Sequence, residues 1–181
     1  MLLCCWAVTE FTDTGLSPFS WYEYRVSIDN GFGNATSSAV VYRTSADKPS
    51  GNFTVTVELI EARTVSLSWT APSSPNGVIQ RYLVESLDQC SEQQSNVTHY
   101  DGLALGFSLS SLTPYCLYVL TVRACTTAGC ISESVTAITL QAAPDGQQPP
   151  NITAIGPTAL NVSWQPPSQP NGNCRFSYVH Q

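Results

Sequence analysis

Hydrophobic and polar residues alternate in short segments through the middle of the chain. The segment TVSLSW places Val65, Leu67 and Trp69 on one face and polar side chains on the other. Alternation with a period of two predicts strands that are buried on one face only. We expect further short strands at Phe53–Leu59, Gln80–Leu87, Gly106–Leu112, Tyr115–Cys125 and Ser132–Leu140. Short strands separated by turn residues predict an all-β sandwich.

Two stretches of sequence recur at nearly the same offset. TVSLSWTAPSSPNG (64–77) is followed 95 residues later by ALNVSWQPPSQPNG (159–172). LSPFSWYEYRVSI (16–28) recurs 96 residues later as LTPYCLYVLTVRA (112–124). This period is about the length of one sandwich domain, so the chain holds the end of one unit, a whole second unit and the start of a third.

The repeats and the linkers predict three segments. Residues 1–46 form a partial unit with its last strands, residues 47–143 a complete one, and residues 144–181 a partial unit with its first strands. The linkers, at 44–51 and 142–150, are rich in Pro, Gly and polar residues. Ser-Pro-Asn-Gly at 74–77 predicts a type I turn, because Pro presets φ at its second position and Gly suits the fourth.

The repeated residues resemble those of tandem fibronectin type III domains. The tryptophan of that family's second strand matches Trp69 and Trp164. Its Leu-Pro-Tyr approach to the sixth strand matches two triads: Leu16, Pro18 and Tyr22, then Leu112, Pro114 and Tyr118. The resemblance implies an immunoglobulin-like β-sandwich, with a structural rather than ligand-binding role for Trp69, Trp164, Leu112, Tyr22 and Tyr118.

Composition narrows the class of protein further. The net charge is −6 with only seven Lys and Arg, and no basic cluster exists to bind nucleic acid. No apolar run approaches the ~18 residues of a membrane span. Five N-x-Ser/Thr sequons favour passage through the secretory pathway and an extracellular or cell-surface location, with glycosylation predicted at Asn34, Asn52, Asn96, Asn151 and Asn161.

The seven cysteines suggest disulfides in a secreted protein. Cys125 and Cys130 flank Thr-Thr-Ala-Gly, a spacing that suits a cross-strand disulfide closing a four-residue hairpin loop; two free thiols are the alternative. Cys90 and Cys116 fall at one end of neighbouring strands of the sandwich, where both would face inward and could be bridged. These four cysteines allow three pairings, among which sequence does not choose. We assign no role to Cys4, Cys5 and Cys174.

No arrangement typical of catalysis occurs in the sequence. Neither His99 nor His180 lies near a Ser, Cys or carboxylate pattern that would pair a base with a nucleophile, so both are interpreted as surface loop residues. No phosphate-binding glycine loop, HExxH or calcium-loop pattern is present. We therefore expect no enzymatic activity, no cofactor and no metal site.

The resemblance implies a non-catalytic extracellular module that spaces and presents surfaces in an adhesion or matrix protein. Its narrower implication is a fragment of one long multidomain protein of basement membranes or sensory-cell surfaces, with extracellular-matrix or cell-surface proteins as partners. The candidate binding loop, pre-ordered by the predicted disulfide, is Thr126, Thr127, Ala128 and Gly129. The alternatives are an accessory module of a secreted enzyme and a signalling-receptor ectodomain.

We predict that Asn96 carries a glycan when the chain is secreted from mammalian cells. It lies in the polar segment QQSNVTHY between predicted strands, where a bulky sugar stays in solvent. Asn161 serves as the comparison, with lower expected occupancy because it lies within the predicted strand around Val162. Glycopeptide mass spectrometry measures both sites, and an unmodified Asn96 in protein secreted at full yield would contradict the prediction.

Overall fold

The structure is a computed structural model that describes residues 9–93 and 95–177. Every regular element of length three or more in those ranges is a β-strand, as the alternating sequence predicts. The strands fall into three groups along the chain. The first group contains β1 (Trp21–Tyr24), β2 (Ser27–Asp29), β3 (Asn34–Thr36) and β4 (Val40–Arg43), in which β1 pairs with β4 and β2 with β3, both antiparallel.

The central group forms a two-layer sandwich of antiparallel strands. One sheet has the order β5-β6-β9 and the other the order β11-β10-β7-β8. Their bounds are β5 (Val55–Ile60), β6 (Val65–Trp69), β7 (Arg81–Asp88), β8 (Asn96–Gly102), β9 (Gly106–Leu109), β10 (Leu117–Thr126) and β11 (Gly129–Ile138). The third group is the hairpin of β12 (Asn151–Gly156) and β13 (Ala159–Ser163).

The core lies between the two central sheets and follows the predicted alternation. In β6, Val65, Leu67 and Trp69 are buried while the serines between them are partly exposed. The inward face of β10 is buried at Tyr118 and at every second residue as far as Ala124. The apolar faces of the two sheets stabilise each other because their interdigitated side chains are removed from water when the sheets pack.

Trp69 is packed among aromatic side chains of the opposite sheet. It is only 4% exposed, and its ring centroid lies 5.8 Å from that of Tyr82 and 6.1 Å from that of Tyr100. Both contacts are tilted, an arrangement that aromatic pairs favour over face-to-face stacking. Trp69 thus joins the β6 layer to the β7–β8 layer.

Trp164 has a different environment. The prediction that it is a core residue is wrong for the described residues. It is 42% exposed and its aromatic neighbour is Phe176, at 6.2 Å between ring centroids. The reason is that β12 and β13 form a two-stranded sheet on their own. Within the described residues, no second sheet covers this hairpin in the way that β7 and β8 cover Trp69.

Tyr22 departs from its prediction in the same way, since it is half-buried and lies outside the core cluster. Its hydroxyl nevertheless accepts a hydrogen bond from the Ser17 amide at 2.8 Å, and the Tyr118 hydroxyl accepts one from the Thr113 amide at 2.9 Å. Both bonds reach back five residues, so the repeated tyrosine forms the same corner in both places.

Two local predictions differ from the structure. The segment around Asn96 is not a connection between strands: it forms β8, the edge strand beside β7, and Asn96 is its first residue. The turn at 74–77 is not type I, because Asn76 has φ of 52°, whereas the third position of a type I turn needs a negative φ. Asn tolerates this left-handed conformation better than most residues do.

The contrast between the two repeated tryptophans gives a stability prediction. Trp69→Ala should lower the free energy of unfolding of the central sandwich by about 3–5 kcal/mol, because removal of the indole leaves a cavity between the two sheets. Trp164→Ala, the matched control, should change it by no more than about 0.5 kcal/mol. Urea unfolding measures both changes in stability, and limited proteolysis of the folded protein identifies the part that is folded. We expect a resistant fragment near residues 47–143 in the wild type, and equal effects of the two substitutions would contradict the prediction.

Candidate functional site

The hairpin between β10 and β11 is closed by a disulfide. Cys125 and Cys130 lie opposite each other in the ladder, with their Cα atoms 4.1 Å apart, and their sulfurs are bonded. The predicted clamp is therefore present. The expected four-residue loop is wrong, because Thr126 and Gly129 also pair across the ladder and leave only Thr127 and Ala128 as the turn.

The four predicted loop residues divide into a covered part and an exposed part. Thr126 is 8% exposed, and its hydroxyl donates to the carbonyl oxygen of Asp47 at 2.9 Å. Thr127 and Ala128 are exposed, while Gly129 is half-buried. Thr126 is thus turned towards the preceding linker, and the surface that could meet another protein is the tip, Thr127 and Ala128.

A second disulfide joins Cys90 to Cys116 at the opposite end of β7 and β10, with 5.8 Å between the Cα atoms. Cys116 is buried, as expected, but Cys90 is exposed. The expectation that both face inward is wrong for Cys90 because β7 ends at Asp88, so Cys90 belongs to the loop and no longer follows the strand's alternation. The structure thus selects one of the three possible pairings of these four cysteines.

Asp88 organises this end of the sandwich, a role that sequence analysis missed. Its Oδ1 accepts the amides of Cys90 at 2.7 Å and Ser91 at 3.2 Å, and its Oδ2 accepts the Tyr118 hydroxyl at 3.2 Å. An Asp at the start of a loop commonly caps the amides that follow it, which is the signal that could have identified it. The Cys90 and Cys116 sulfurs lie near its carboxylate but are bonded to each other, so they offer no thiolate to a metal.

His99 is hydrogen-bonded to a serine inside the sandwich rather than free in a surface loop. The register of β7 and β8 shifts between Val84 and Glu85, which leaves His99 as the extra residue of a bulge. Its Nε2 lies 2.7 Å from Oγ of Ser86, which is 4% exposed. Among the described residues no carboxylate is hydrogen-bonded to His99, so the pair lacks the third group that orients a catalytic base.

The remaining site residues are placed as follows. His180, Cys4 and Cys5 lie outside the described residues, and Cys174 is half-buried and forms no disulfide within them. The sequon asparagines are all exposed, as a glycan requires, at Asn34, Asn52, Asn96, Asn151 and Asn161. In the part of the chain that the structure describes, no helix has the length and apolarity needed to cross a membrane.

Comparison with known proteins identifies the class of this fold. The family model for the fibronectin type III domain matches residues 47–139, which are the central sandwich and its two disulfides. The chain belongs to the fibronectin type III family.

Similar individual proteins are much longer than this chain. Usherin of Homo sapiens is 33% identical over 92% of this chain, and usherin of Rattus norvegicus is 38% identical over 93%. Phosphatidylinositol phosphatase PTPRQ of Homo sapiens is 31% identical over 96% of it. The chain spans 3% of the length of either usherin and 8% of that of the phosphatase. Usherin is the long protein that the sequence resemblance had suggested.

The position of His99 gives a pH prediction. Burial lowers the pKa of His99 below its usual value of 6.5, so the fold favours the neutral imidazole. The neutral imidazole therefore makes its full contribution to stability above the pKa that His99 has in the unfolded state. That contribution is lost as the pH falls through the lower pKa of the folded state. Urea unfolding at about pH 7.5 and about pH 5 should show a smaller loss of stability in His99→Gln than in the wild type. An identical loss in both would contradict this assignment.

Proposed function

We propose that the chain is a non-catalytic extracellular segment that spaces and presents protein-binding surfaces in an adhesion or matrix protein. The observation that carries this proposal is the combination of a fibronectin type III fold with two disulfides. Disulfides persist in oxidising compartments, and the exposed sequons agree with secretion. The parent we propose is a usherin-like multidomain protein of basement membranes or sensory-cell surfaces, with matrix or cell-surface proteins as partners.

The domain plan belongs to the same proposal. We infer one complete module at 47–143, flanked by the last strands of a preceding module in 1–46 and the first strands of a following module in 144–181. The tyrosine corner at Tyr22 supports the first assignment. The hairpin that carries Trp164 at the place of Trp69 supports the second.

Within the central module, the binding surface we propose is the exposed tip of the clamped hairpin. The disulfide below Thr127 and Ala128 holds this short turn in one shape, which lowers the conformational entropy lost on binding. A two-residue tip alone buries little area, so we expect weak binding by one module and stronger binding when many modules act together.

A matched pair of charge variants tests the proposed surface. Ala128→Glu adds a negative charge at the tip, and Gln93→Glu adds one at the opposite end of β7. Retention of the purified full chain on decellularised basement membrane should fall for Ala128→Glu and stay at the wild-type level for Gln93→Glu. Equal retention of both variants would refute the tip as the binding surface, and no retention of the wild type would refute binding to this matrix.

A receptor-type ectodomain is the second candidate, and the likeness to a phosphatidylinositol phosphatase favours it. A fibronectin type III segment of such a receptor would have the same sandwich, since fold alone does not determine function. The sequence that adjoins this chain in its parent protein distinguishes the two: a phosphatase domain supports the receptor, and many further fibronectin modules support the matrix protein.

A further inference from the structure

The repeated Pro-Asn-Gly turn makes the same contact with the preceding linker in both of its copies. In the first copy the Asp47 amide donates to the Asn76 carbonyl oxygen at 2.8 Å, and Nδ2 of Asn76 donates to the Lys48 carbonyl oxygen at 3.0 Å. In the second, the Ala142 amide donates to the Asn171 carbonyl oxygen at 2.9 Å, and Nδ2 of Asn171 donates to the Ala143 carbonyl oxygen at 2.8 Å.

A short bridge of backbone hydrogen bonds extends each contact along the linker. Ser50 and Ser74 exchange two amide-to-carbonyl bonds of 2.8 and 3.2 Å. Asp145 and Gln169 exchange two bonds of 2.9 and 3.1 Å. All of these residues are related by the 95-residue offset of the sequence repeat. The two linkers differ in most of their side chains, so the contact is built mainly on the backbone of the linker and on the asparagine of the turn.

The residue types of the repeat suit this geometry. Asn76 and Asn171 both have φ of 52°, a left-handed conformation that Asn adopts more readily than most residues, and it aims the side-chain amide at the linker. Gly51 and Gly146 have φ of 78° and 73°, and a Cβ atom there would overlap Oγ of Ser73 and Ser168. Glycine is therefore needed where each linker passes its turn.

At the first joint, the clamped hairpin adds a third point of attachment. The Thr126 hydroxyl donates to the Asp47 carbonyl oxygen, on the residue whose amide is bonded to Asn76. Pro49 of the linker is fully buried. The disulfide between Cys125 and Cys130 therefore supports a contact within the chain on one side of the hairpin and leaves the tip exposed on the other.

We infer that the Pro-Asn-Gly turn is a docking seat for the linker that enters the module, and that each module thereby fixes the direction of the chain preceding it. The occupant of the seat is a segment of this chain, residues 46–50 at the first joint and 141–145 at the second. The two copies act separately, because each asparagine contacts only its own linker.

Hydrogen exchange of the full chain tests this seat, and the two joints serve as controls for each other. Asn76→Gly keeps the left-handed turn but removes the side-chain amide, so the Asp47 and Ser50 amides should exchange about fivefold faster. The Ala142 and Asp145 amides should keep their wild-type rates in that variant. Asn171→Gly should give the reverse pattern.

A second pair of variants separates docking from general loss of stability. Thr126→Val removes the hydroxyl and should speed exchange at Asp47, whereas Thr126→Ser keeps the hydroxyl and should not. The amide of Leu120 in the core monitors global unfolding in every sample. Unchanged exchange at Asp47 and Ser50 in Asn76→Gly, or a rise there matched at Leu120, would overturn the inference.

Discussion

The burial of Trp69 between two sheets is the contact on which the rest of the molecule depends. A sheet with one apolar face gains little free energy until a second sheet covers that face, since each ordered residue costs about 1–2 kcal/mol of backbone entropy. Trp69 lies at 4% exposure, whereas the corresponding Trp164 lies at 42% on a lone hairpin. The same local sequence thus contributes to a core in one place and to a surface in the other.

The two ends of the central sandwich are held by different covalent and polar contacts. At one end, the Cys90–Cys116 disulfide, the Asp88 carboxylate and the Tyr118 hydroxyl join the loop after β7 to the start of β10. At the other end, the Cys125–Cys130 disulfide closes the hairpin that contacts the incoming linker. Both ends of the central sandwich are thus fixed by a disulfide together with hydrogen bonds.

His99 and the two cysteines near Asp88 each have a partner within the described residues. The Ser86–His99 pair lacks an orienting carboxylate, and the sulfurs near Asp88 are bonded to each other. The tip at Thr127 and Ala128 is exposed, and it is the surface that we propose for binding another protein. Loops on a rigid scaffold are where binding residues concentrate in folds of this kind.

Period-two alternation and the sequence repeat were enough to predict the sandwich and the inward faces of β6 and β10. These are local properties, because the side chains of a strand alternate wherever it lies. Strand β8 was missed: its sequence, NVTHYDG, is mostly polar, and it is a strand because β7 pairs with it. The disulfide pairing, the bulge at His99 and the linker contact of Asn76 likewise required the tertiary structure. Each depends on which distant segments become neighbours, and that is decided by the packing of the whole sandwich rather than by any one segment.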